Sequence, residues 1–303
     1  MIKSITVINN FGESMKLILS RPEVSGFIVE KIDGLGPGAA NITSTEKASG
    51  DGSFFNDAKI QARNIVMNLT FLWIPELTIE ELRHLTSKYF PLKEEITLIV
   101  ETDTRIGKIT GRIEKNEPDI FSSDENTMIS VICFNPYFKS FNPKKIIFSG
   151  LDNMFEFPFS NDSLKQNLLE MSVKRHLTQR NIIYDGDSTP GFNIIMDFLG
   201  GVGDIRIYDM TSDEYIGISI SKVEEVLERN IMKGDQLIVR TSVGEKSVKL
   251  LENGREHNVL KSIINGTKWL TLSRGDNLLA YSTTSGIDNI EFKIEYETYY
   301  EGM

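Results

Sequence analysis

Ile290-Glu291-Phe292-Lys293-Ile294-Glu295-Tyr296 decides the fold class of this 303-residue chain. Apolar side chains alternate with charged ones, so a strand here has one dry face and one wet face. A helix would scatter the same residues around its circumference. Upstream of this run, turn signals recur roughly every ten residues. They fall at Gly234-Asp235, Gly244, Asn253-Gly254, Asn265-Gly266, Gly275-Asp276-Asn277 and Gly286. Strand-like runs lie between them, at residues 236–241, 246–251, 268–272 and 278–282. Further back, residues 192–198, 204–208 and 215–221 have the same character. From Asp185 onward the pattern is that of a β-sandwich. Residues 223–229 lie between two strands and are expected as a loop or an extended β-ribbon.

The first half mixes strands with one helix. Thr78 and Glu81 have the spacing of a capping box, in which each side chain satisfies the other residue's free backbone N–H. Ile79, Leu82, Leu85 and Tyr89 follow at helical spacing, and Pro91 blocks continuation. Ile65, Met67, Leu69 and Phe71 alternate with Asn64, Val66, Asn68 and Thr70, the period of a strand. Ile5 and Val7 share one face of an N-terminal strand, and residues 96–101 and 106–114 read as a hairpin around Asp103-Thr104. Residues 128–134 form an apolar run that holds the lone cysteine, Cys133, as a small core hydrophobe. Phe134-Asn135-Pro136-Tyr137-Phe138 breaks the pattern, so the expected cut gives domains 1–138 and 139–303. The connector carries Phe155-Glu156-Phe157-Pro158-Phe159 and has no assigned secondary structure, residues 164–177 included.

Composition narrows the function classes. Hydrophobic residues at 40% and charged residues at 25% exclude an intrinsically disordered chain. A formal net charge of −10 without a basic run argues against gripping a phosphate backbone. No stretch approaches the ~18 consecutive apolar residues of a membrane helix. The opening residues lack the apolar core of a secretory signal, so a chain made in the cytosol is expected.

A search for chemistry gives little. His84, His176 and His257 lack the paired spacing of a zinc site, and one cysteine supplies no Cys-x-x-Cys pair. Asp185-Gly186-Asp187 begins like a calcium loop but has no closing acidic residue, and reads as a turn. Gly34-Leu35-Gly36-Pro37-Gly38 lacks the Gly-Lys-Ser/Thr ending of a phosphate loop. It is expected as a mobile or partner-packed loop. There is no Gly-x-Ser-x-Gly elbow, and Gly200-Gly201-Val202-Gly203 opens no helix. No catalytic, cofactor-binding or metal-binding residue is assigned, no binding residue is identified, and an enzyme is not expected. Trp269, Tyr281, Tyr299 and Tyr300 are the aromatics that a glycan-stacking platform would draw on, although Trp269 alternates with leucines and so favours the core.

The order of motifs resembles the distal tail proteins, or Dit proteins, of tailed bacteriophages. The residues that carry this are Gly52-Ser53-Phe54, the strand to Phe71, the helix ending before Phe90-Pro91, and Cys133-Phe134-Asn135-Pro136-Tyr137-Phe138. Phe155-Glu156-Phe157-Pro158, Ile183-Tyr184-Asp185-Gly186-Asp187, Trp269-Leu270-Thr271-Leu272, Arg274-Gly275-Asp276-Asn277 and the Glu-Tyr-rich end continue the order. The resemblance implies a mainly β chain: an α+β, β-sandwich-like first domain with one helix, then a galectin-like β-sandwich. It implies a structural virion protein at the tail tip whose first domains close into a homohexameric ring. The implied partners are the tail tube protein, the tail-associated lysin or baseplate hub, the tape-measure protein and, in some phages, receptor-binding proteins. It implies no cofactor, no membrane insertion and no specific nucleic-acid binding. The alternative is a glycan-binding receptor-recognition protein that uses the galectin-like half. Residues 34–38 and the hairpin near Asp103 are expected to contribute to the ring, and an acidic lumen would let DNA pass without holding it.

Overall fold

The computed structural model describes residues 1–75, 77–119, 125–153 and 172–303, with the backbone alone in the paired strands 149–153 and 172–176. The run 155–159, and all but the end of 164–177, lie outside the described residues. The chain divides into two compact units, Met1–Asn142 with Tyr299–Met303, and Pro143–Thr298. A single cut at Phe138 does not include this return of the last residues to the first unit.

The first unit contains β1 (Ile2–Ile8), β2 (Ser14–Ile18), β3 (Phe27–Asp33), β4 (Ala40–Glu46), β5 (Ser53–Ile60), β6 (Arg63–Phe71), helix α1 (Ile79–Tyr89), β7 (Glu95–Thr102), β8 (Ile106–Asp119), β9 (Asn126–Cys133) and β10 (Phe138–Ser140). Its main sheet runs β2-β1-β7-β8-β9-β6-β3, antiparallel throughout. The expected alternation in β6 places Ile65, Met67 and Leu69 in the core. The capping box of α1 is formed: the Thr78 N–H donates to Glu81 Oε2 at 2.7 Å, and the Glu81 N–H donates to Thr78 Oγ1 at 3.3 Å. Leu82 and Thr86 are the helix's buried residues, while Ile79, Leu85 and Tyr89 flank them half-buried. Gly26, at φ +77, lets the helix close on β3, because a Cβ there would meet Leu82 Cδ2 at 2.5 Å. Cys133 is fully buried, and burial pushes its thiol up to about 12, so it packs as a small core hydrophobe.

The second unit contains β11 (Lys144–Ile147), β12 (Ser149–Asn153), β13 (Ser172–His176), β14 (Gln179–Tyr184), β15 (Asn193–Phe198), β16 (Ile205–Asp209), β17 (Glu214–Ile218), helix α2 (Ile220–Leu227), β18 (Gln236–Arg240), β19 (Ser247–Glu252), β20 (Arg255–Asn258), β21 (Gly275–Thr283) and β22 (Ile290–Tyr296). Two sheets share one core: β11-β22-β15-β18-β19-β20 and β14-β21-β16-β17. Ile290, Phe292 and Ile294 are wholly buried, as the period-two run requires. Phe292 stacks on Tyr281 with ring centroids 4.5 Å apart and meets Phe148 edge-on at 4.8 Å.

Two expectations are corrected. Residues 220–227 form helix α2, not a ribbon, and bury Ile220 and Val223 on one face. Ser219 makes no capping bond; Asp204 Oδ1 accepts from the Ile220 N–H at 2.8 Å instead. A carboxylate at a helix N-terminus satisfies a free donor and complements the dipole, and here it comes from a distant strand end. Residues 268–272 are not a strand: they run as a connection whose Lys268 and Leu272 N–H groups donate to Tyr215 and Pro190 carbonyls.

Candidate assembly interface

β4 and β5 form a two-stranded sheet with no third strand among the described residues. Ala40–Glu46 is exposed at every position and Ser53–Ile60 at all but Ile60. Ile42, Phe54 and Phe55 are 65%, 61% and 69% exposed. An isolated hairpin is marginal in water, and its unpaired edges offer free N–H and C=O groups to another strand. The pairing register, with its shift between Thr43 and Ser44, sorts the side chains onto two faces. Ala40, Ile42, Ser44, Glu46, Ser53, Phe55, Ala58 and Ile60 share one face, which is apolar except at Glu46 and the two serines. Asn41, Thr43, Thr45, Phe54, Asp57 and Lys59 share the other, polar face, with the extra residue Asn56 donating to Thr45 Oγ1 at 2.7 Å.

The hairpin is rooted by the glycine-rich loop and Arg63. The Arg63 guanidinium donates to the main-chain carbonyls of Pro136 at 2.7 Å, Gly34 at 2.6 Å, Gly36, and Glu301 at 2.5 Å. It lies over the Phe138 ring at 5.0 Å and is 5% exposed. Burial lowers the affinity of this guanidinium for its proton relative to a free arginine. Leu35 is buried, and its carbonyl accepts from the Met303 N–H at 2.9 Å. The loop is therefore anchored in its own unit through Leu35. Gly34, at φ +86, passes so close to Asn64 that a Cβ would lie 2.1 Å from the Asn64 carbonyl oxygen. A cleft of about 210 Å³ separates the two legs of the root, residues 34–39 and 61–64. At the other expected contact, Asp103 turns onto its own chain, 2.5 Å from the Met1 ammonium and 3.5 Å from Lys3.

The β4–β5 hairpin is the feature that reading the sequence missed. Its signal was present as two short β-prone runs, Asn41-Ile42-Thr43 and Ser53-Phe54-Phe55, around Ser49-Gly50-Asp51-Gly52.

The described residues contain no cluster of three or more metal-ligating side chains. His84 is exposed beside Glu80, and His257 lies 3.1 Å from Glu252. The aromatics considered for sugar stacking are dispersed. Tyr281 is in the second core, and Trp269 is half-buried against it beneath Lys246. Tyr299 and Tyr300 belong to the first unit, where β23 (Tyr299–Tyr300) pairs with β10. There Tyr299 stacks on Tyr137 at 5.7 Å and Tyr300 lies beneath Arg105.

No family model and no curated protein matches the chain by sequence. Solved structures match by shape. The SPP1 Dit (gp 19.1) protein, described as a paradigm of hub adsorption apparatus in phages infecting Gram-positive bacteria, aligns with a TM-score of 0.63 at 10% identity. The alignment covers 97% of this chain and 98% of that one. The chain has the Dit-type fold. Two structures of the phage p2 baseplate in its activated conformation, with calcium and with strontium, align at 10% identity with TM-scores of 0.49 and 0.47. They cover 98% and 96% of this chain and 98% and 97% of theirs. The Dit-type fold accounts for the mainly β architecture expected from the sequence, with one capped helix in the first unit. No helix among the described residues is long and apolar enough to cross a membrane.

Proposed function

We propose that this chain is a structural protein of a bacteriophage tail tip, a distal tail component that closes into a hexameric ring and joins the tail tube to the baseplate hub and adsorption apparatus. One observation carries the proposal: the Dit-type fold extends over nearly the whole chain. The β4–β5 hairpin supports it. A hairpin open on both edges has two different strands to offer, which suits the head-to-tail contact of a closed ring. Closure removes every free edge, the same solution that barrels use.

The two faces then have different tasks. The more apolar face, with Ile42, Phe55, Ala58 and Ile60, packs on neighbouring subunits. The polar face, with Asp57 beside Lys59, lines the passage, and the net charge of −10 makes the lumen acidic. DNA crossing such a ring is repelled and not held. The proposed partners are other copies of the chain, the tail tube protein and the hub, with a location in the virion tail.

Negative-stain electron microscopy of the purified chain, alone and with its tail tube protein, tests this reading. Rings of uniform diameter support it. A strict monomer in both samples at high concentration contradicts it, as does a ring whose lumen proves predominantly basic.

A further inference from the structure

We infer that Arg63 is a positioning residue: it sets the direction in which the β4–β5 hairpin leaves the first unit, and it locks that direction to the two chain segments that lead to and from the second unit. This inference deepens the assembly proposal, since it names the device that orients the proposed interface.

Connectivity and geometry carry the argument. Arg63 opens β6, three residues after the hairpin ends at Ile60. Its side chain reaches back to Gly34 and Gly36, on the leg that leads into the hairpin. One guanidinium therefore ties the outgoing leg to the returning leg. The same group holds Pro136, just ahead of the crossing into the second unit, and Glu301, just after the crossing back. The Met303 N–H closes the loop by donating to the Leu35 carbonyl.

Only arginine suits this place. Its planar fork spreads five donors over a fixed angle, so several carbonyls are bound at once. Lysine offers a compact ammonium on a flexible stem and cannot span carbonyls on separate segments. The partners are main-chain oxygens, so no side-chain change at residues 34, 36, 136 or 301 removes an acceptor. The hairpin makes no ladder with the main sheet, so its direction is set at the root. The glycines at 34, 36 and 38 leave the outgoing leg free to swing once the guanidinium is gone.

Pulsed electron spin resonance on the full chain tests this directly. Spin labels go on Glu46→Cys, in the hairpin, and Thr110→Cys, at an exposed position of β8. Buried Cys133 does not compete for label. With labelled chain diluted into an excess of unlabelled chain, so that each assembly holds at most one labelled copy, the parent is expected to give one narrow distance distribution. Arg63→Met is expected to broaden it by about two-fold or more, and Arg63→Lys to fall between. Removal of residues 299–303 leaves Arg63 intact but takes away the Glu301 carbonyl and the Met303 N–H, and is expected to broaden the distribution as well. It serves as the second variant if Arg63→Met does not fold. Hydrogen exchange in β7 is the control: a change confined to fold stability would speed β7 amides together with the root, whereas loss of positioning leaves β7 unchanged. An unchanged distance distribution in folded Arg63→Met, or in the truncated chain, overturns the inference. The measurement needs no ring, so a monomeric parent would contradict the assembly proposal and leave this one standing.

Discussion

The β18–β19 hairpin and the β4–β5 hairpin are both antiparallel pairs. In the first, Leu237, Val239, Val248 and Leu250 are wholly buried, and β15 and β20 flank the pair. In the second, Ile42, Phe54 and Phe55 face solvent and neither edge has a neighbour among the described residues. Backbone pairing alone therefore does not say what a hairpin is for. The first is held by the fold and holds it in turn. The second is held only at its root, and its apolar side chains and open edges become useful when another chain covers them.

Substitutions can break or sharpen that contrast. The largest effect belongs to the buried side. Phe292→Ala removes a ring that packs on Tyr281 and Phe148, and is expected to cost about 3–5 kcal/mol in a denaturant titration. A loss below about 1 kcal/mol would mean that the second core tolerates a void there. Next comes the ion network beneath α2. Arg229 holds Asp235 through two bonds of 2.8 Å and Glu252 through one of 2.9 Å. The Arg229 hydrogen bonds keep the 4%-exposed Asp235 carboxylate below its usual range. Asp235→Asn is expected to cost about 2–3 kcal/mol at pH 7. A carboxylate with a lowered folded value contributes its stability above the unfolded value of about 3.9, and loses it as pH falls through the folded one. The gap between parent and variant should therefore narrow as the pH falls from about 3.9, and a gap that widens would contradict the assignment.

Smaller effects follow. Thr78→Ala removes one half of the capping box and is expected to cost about 1 kcal/mol, read as a shift in the unfolding midpoint. Phe55→Ser sits at the exposed end of the comparison and is expected to change the stability of the isolated subunit by less than about 0.5 kcal/mol. Should Phe55→Ser destabilise the subunit as Phe292→Ala does, the hairpin is a core element and the contrast fails.

Where burial decided structure, the sequence was legible. β6 and β22 each have one wet and one dry face, so their period showed. The α1 helix carries both halves of its cap within four residues of chain. Helix α2 was missed because its capping carboxylate, Asp204, lies 16 residues away from Ile220. The return of Tyr299–Tyr300 to β10 was missed because a two-residue strand has no period. Residues 40–60 were missed for a related reason: with both faces exposed, nothing selects alternation in the side chains. The sugar-platform aromatics illustrate the converse, since ring type alone did not separate Tyr281, in a core, from Tyr299, on a pairing strand. The root of the hairpin was half legible. The glycines stood out, but their partner Arg63 is one arginine among many in the sequence.

The central claim is that the β4–β5 hairpin builds the ring and contributes nothing to the fold of its own unit. Replacing residues 43–57 with Asn-Gly leaves the cross-strand pair Ile42 and Ala58 joined by a tight turn. Light scattering then gives the solution mass of the parent and the shortened chain at equal concentration. The account predicts a parent at about six times the monomer mass and a shortened chain that is monomeric, with the unfolding midpoint of a parent diluted until its ring has dissociated. A shortened chain that still forms the ring would contradict it.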